Sequence, residues 1–110
     1  MAAVAVNEDV LKMLQVFGDV NEQINTAVEE YAARRIIERI KTARAKLSEF
    51  EKTYGIGFAA FSERMGSDEA FYAEVNRVNP LWEQDALTWE YWQEEAQEWS
   101  NSLNTILNKS

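Results

Sequence analysis

The chain has no cysteine and no histidine among its 110 residues, a single proline and only four glycines. Without cysteine there is no disulfide framework and no thiolate metal site. Without histidine the usual zinc ligand and the usual neutral-pH general base are both missing. Carboxylates are plentiful, with Glu83/Glu90 and Glu94/Glu95/Glu98 at helical spacings. A di-metal carboxylate site in a bundle normally adds histidine at such spacings, however, and acid–base chemistry needs a pocket. No catalytic residue, metal or cofactor is therefore assigned, and the expectation is that the protein is not an enzyme. Long apolar runs are lacking too. Met1-Ala-Ala-Val-Ala-Val6 is too short to span a membrane and has no charged leader, so the expectation is a cytoplasmic protein with no membrane partner.

Positive charge is scarce and concentrated. Six of the eleven basic residues, Arg34, Arg35, Arg39, Lys41, Arg44 and Lys46, fall in one short stretch that holds a single acid, Glu38. Beyond residue 52 the only bases are Arg64, Arg77 and Lys109, against acids such as Glu83, Asp85, Glu90, Glu94, Glu95 and Glu98 within the last thirty residues. An acidic C-terminal half repels nucleic acid and suits a basic protein partner. The basic stretch has two readings: a phosphate clamp led by Arg34 and Arg39, or a solvated helix face whose charge is matched by the acidic last helix.

Hydrophobic spacing points to helices almost throughout. Asn7 is suited to cap a first helix carrying Val10, Leu14 and Phe17, which Gly18 terminates. Asp19 with Glu22 three residues on matches a reciprocal capping pattern for a second, long helix. That helix first shows a stripe of Ile24, Val28 and Tyr31. It then changes phase to Ile36, Ile40, Ala43, Leu47, Phe50 and Tyr54, a heptad seam of a helix lying along another helix. Phe58, Phe61 and Met65 suggest a short helix ending at Gly66, and Ser67 a cap for another through about Arg77. Asn79-Pro80 opens the last helix, with Asn79 as N-cap and Pro80 in its first turn. Its seam is Trp82, Asp85, Trp89, Trp92, Ala96, Trp99, Leu103 and Ile106. Two facing seams imply an antiparallel helical hairpin over residues 36–110.

The four tryptophans have two readings. Heptad spacing favours packing within the hairpin. Their number, and the off-seam position of Tyr91, suit an aromatic face that anchors a partner. Asp85 stands where the seam calls for an apolar residue. Either it is a buried carboxylate meeting Lys46, Arg44 or a partner's arginine, or the helix turns it outward.

Ala2–Val6 is the one run that reads as a strand, and a lone strand needs a mate from another chain. With Val10–Leu14, the turn Gly18–Glu22 and Ile24–Tyr31, residues 2–35 resemble the ribbon-helix-helix family. The resemblance implies a homodimer formed through paired N-terminal strands, with residues 1–35 as a dimerisation and DNA-binding module. It also implies that Ala3 and Ala5 face the DNA groove and that the backbone at Val20-Asn21 holds a phosphate. Alanine carries no group that reads a base edge. The whole chain, through Lys52-Thr53-Tyr54-Gly55 and Trp82–Trp92, is similar to small acidic antitoxins of prokaryotic toxin–antitoxin operons, a kind common in cyanobacteria. That likeness implies a mostly α protein in which the N-terminal module is followed by the long hairpin. It further implies that the protein binds operator DNA as an autoregulator and neutralises a cognate toxin through Trp82, Asp85, Trp89, Tyr91, Trp92 and Trp99. The alternative is a helical adaptor with no role on DNA.

Overall fold

The structure, a computed structural model, describes residues 7–16 and 18–108. These form five helices: α1 (Glu8–Gln15), α2 (Val20–Tyr54), α3 (Phe58–Ser67), α4 (Glu69–Val78) and α5 (Trp82–Leu107). The chain divides into two compact units, Met1–Arg35 and Ile36–Ser110, and α2 contributes to both. The division falls where the apolar stripe of α2 changes phase, between Tyr31 and Ile36.

The ribbon-helix-helix expectation is corrected here. No strand occurs among the described residues, whose regular structure is entirely helical. The segment read as a strand, Ala2–Val6, lies outside them, as do the groove-facing candidates Ala3 and Ala5. Small and β-branched residues have the propensity for a strand, but no strand among the described residues offers a hydrogen-bonding mate.

In the first unit, α1 begins as its sequence suggests, with the Asp9 N–H donating to Asn7 Oδ1 at 2.7 Å. Gly18 adopts a left-handed φ of 121°, a value that needs the missing Cβ. The chain then turns into α2, where the Glu22 N–H donates to Asp19 Oδ1 at 3.1 Å. Across the turn the Gln23 side chain donates to the Leu14 carbonyl at 3.2 Å. Val28 and Tyr31 of the first stripe stay exposed, because α1 is only two turns long and ends before covering them.

The second unit holds every buried hydrophobic side chain among the described residues: Ile36, Ile40, Ala43, Phe61, Val75 and Trp89. All six positions of the α2 seam and all eight of the α5 seam are buried or half-buried. The cross-contacts run antiparallel. Tyr54 reaches Asp85 and Trp89, and Phe50 stacks on Trp89 with ring centroids 5.6 Å apart.

The helix ends differ in detail from the sequence reading. Asp68, not Ser67, caps α4, its carboxylate accepting the Phe71 N–H at 3.0 Å. The residue α5 uses as its N-cap is Leu81, with no side-chain cap bond. Asn79 and Pro80 instead make a preceding turn, closed by the Trp82 N–H to the Asn79 carbonyl at 3.0 Å.

The core centres on Trp89, which has no exposed surface and lies among Phe50, Tyr54, Phe58 and Phe61. Trp89→Ala is expected to destabilise the protein by about 3–5 kcal/mol. Leu87→Ala, two residues away on a solvent-facing position, should change stability by under about 0.5 kcal/mol. Urea denaturation followed by circular dichroism distinguishes the two.

Candidate functional site

Because α5 buries one seam against α2 and the short helices, its opposite face is set by what the heptad leaves over. Spacing places Glu83, Leu87, Glu90, Tyr91, Glu94 and Glu98 on that outer side, and all six are exposed. Leu87 is 70% and Tyr91 52% exposed, one turn apart and amid four carboxylates. The two arginines nearest in sequence are already engaged. Arg64 pairs with Asp68 at 3.3 Å, and Arg77 grips Glu74 with two nitrogens. The Asp68 carboxyl is held below its ordinary range by the Phe71 N–H and then by Arg64.

Beside this face runs a groove between α3 and α5, lined by Phe58, Ser62, Trp82, Glu83, Ala86, Leu87 and Glu90. Phe58, Trp82 and Ala86 are half-buried, whereas Leu87 and the two glutamates stand at the open side. Trp82 is fixed by its indole N–H, which donates to Asn76 Oδ1 of α4 at 2.8 Å, and by edge contacts with Phe61 and Tyr72. A firmly held aromatic floor with acids at its opening suits the stem and head of a basic side chain.

Comparison with protein-family models, curated proteins and solved structures finds no match to this chain. The site therefore stands on its own geometry.

The residues expected to bind a partner separate into several environments. Trp89 is a correction: it is fully enclosed and has no surface to offer. Asp85 is half-buried, and its carboxylate accepts the Tyr54 hydroxyl at 2.5 Å, a neutral donor on α2. Trp99 is half-buried and its indole N–H donates to Glu95 Oε2 at 2.6 Å on the same helix. Trp92 is half-buried, edge-on to the exposed Tyr91 ring at 5.0 Å. The Tyr91 hydroxyl is pushed above its ordinary pKa by hydrogen bonding to Glu95 and by that group's charge. Trp82 and Tyr91 thus stay available, Trp82 in the groove and Tyr91 on the outer face.

The candidates for DNA contact are scattered. Arg34 and Arg39 are exposed. At the start of α2, Val20 is half-buried and Asn21 exposed, but the Asp19 carboxylate already occupies the capping position with Glu22 beside it. Negative charge there repels a phosphate. Among the described residues no group of three or more acids is arranged to hold a metal ion, and no helix is long and apolar enough to cross a membrane.

Sequence reasoning missed Phe58, Ala86 and Leu87. Leu87 had a signal, being the one large aliphatic residue off the seam between Glu83 and Glu90. Phe58 had none, because its place in the groove depends on how α3 docks.

The Tyr54–Asp85 bond ties α2 to α5. Burial first, and then the Asp85 carboxylate, raise the Tyr54 pKa above its ordinary value of 10.0. Since the folded protein holds this proton more tightly than the unfolded chain, the contribution is complete below pH 10 and is lost as pH rises further. Tyr54→Phe is expected to cost about 1–2 kcal/mol near neutral pH and to lessen the fall in stability above pH 10. Urea titrations of both proteins at pH 7 and about pH 10.5 check this.

Proposed function

We propose that this chain is a non-catalytic binding protein of the antitoxin kind, which holds a basic partner protein in an inactive complex through the outer face of α5. The observation that carries the reading is the pairing of exposed Leu87 and Tyr91 with Glu83, Glu90, Glu94 and Glu98 on one helix face. Apolar anchors supply contact area, and the acids select against acidic competitors and speed encounter with a cationic surface. Support also comes from the charge of the whole chain, −8 at neutral pH, which favours association with a basic protein over self-association. No DNA contact forms part of this reading.

The partner of an antitoxin is commonly encoded next to it, so the experiment is co-expression of the tagged chain with the product of the adjacent reading frame. Retention of that product through purification, together with relief of its growth inhibition, is expected. Tyr91→Asp combined with Glu94→Lys should weaken retention at least about tenfold while leaving the helical content unchanged. Elution of the wild-type chain without its neighbour at low salt removes the reading.

A further inference from the structure

The α3–α5 groove has features that specify what kind of segment it takes. Its floor is apolar, made by Phe58, Trp82 and Ala86, with exposed Leu87 extending it outward. Its two acids, Glu83 and Glu90, are seven residues apart, which on a helix is about 10 Å along the axis and nearly the same angular position. Neither accepts a hydrogen bond or an ion pair from a described residue. The arrangement is thus an apolar trough with an uncompensated carboxylate at each end of its α5 wall. An extended chain or a lone cation leaves part of this unused. A second helix laid along α5 matches it, since side chains seven residues apart on that helix recur at the same spacing.

Resting on the partner-binding reading above, we propose that the groove seats one amphipathic helix of the basic partner. Two arginines or lysines of that helix, seven residues apart, meet Glu83 and Glu90, and an aliphatic side chain between them packs on Leu87 and Trp82. The fit combines charge complementarity with an apolar anchor that the chain itself leaves in solvent. Because Trp82 is held by Asn76 at 2.8 Å, its indole N–H reports occupation of the groove. Trp99, seventeen residues further along α5, lies roughly 25 Å away and serves as an internal control.

The probe is a capped helical peptide bearing two arginines seven residues apart with leucine midway, titrated into the full ¹⁵N-labelled chain. Saturable movement of the Trp82 indole cross-peak, with Trp99 unmoved, is the expected result. Binding should weaken severalfold as salt is raised from about 0.05 to about 0.5 M. Glu83→Gln and Glu90→Gln should each weaken it about threefold, and Leu87→Asp about tenfold or more. A peptide with citrulline in place of both arginines should bind several times more weakly. A motionless Trp82 signal, or equal affinity for the citrulline peptide, overturns the proposal. Retention of the adjacent gene's product that is unchanged by Glu83→Gln/Glu90→Gln/Leu87→Asp overturns the groove alone and leaves the antitoxin reading standing. Failure of the wild-type chain to retain that product, with the peptide still bound at Trp82, does the reverse.

Discussion

The second unit depends on the enclosure of one indole. Trp89 projects from α5 between Phe50 and Tyr54 of α2 and Phe58 and Phe61 of α3, with ring centroids 5.2 to 5.6 Å away. One residue thereby joins three helices that share few other large buried groups. The enclosure has a cost, because the Trp89 indole N–H meets no hydrogen-bond acceptor among the described residues, a loss on the order of 1–3 kcal/mol. Burial of so large an apolar surface, with several favourable ring contacts, outweighs it. The Tyr54–Asp85 hydrogen bond one turn away adds a directional link at the same junction.

Fixing that seam decides what the rest of α5 presents. A helix committed on one side to a heptad partner exposes its remaining positions, and in α5 the side opposite the seam carries Glu83, Glu90, Glu94 and Glu98 with Leu87 and Tyr91 among them. The acids would destabilise each other if crowded along a single row. Local pairing of Arg64 and Arg77 with Asp68 and Glu74 does nothing to offset them. On the proposed reading, a cationic partner would relieve that repulsion and cover the apolar pair in the same step.

The seams on α2 and α5 could be read directly because 3-4 spacing of apolar residues has few other physical meanings. Every one of those positions is withdrawn from solvent. The caps Asn7 and Asp19 were equally plain, since a short acceptor side chain before an apolar-periodic run has a defined job. Less legible were features decided by competition. Ser67 was taken up as the last residue of α3, its hydroxyl donating to the Glu63 carbonyl, so Asp68 became the cap, and Leu81 precedes α5 because Asn79 and Pro80 form a turn. The strand assigned to Ala2–Val6 rested on propensity alone, without a pairing mate in the chain, and the helical architecture of the described residues does not sustain the module built upon it.

Periodicity and charge order, both one-dimensional properties, were enough to establish that the chain is mostly helical, that its second half pairs two long seams, and that its C-terminal helix is acidic. Which of four similarly spaced tryptophans became core, which donor met Asp85, and where a groove opened were settled only when α3 and α4 packed against the hairpin. Those outcomes depend on distances between residues far apart in sequence: Trp89 and Trp82 share one seam and each meets rings of two other helices, but four rings enclose Trp89 completely whereas Trp82 keeps an open side. Spacing tells which side of a helix faces inward; it takes the neighbouring helices to determine how deep each position lies.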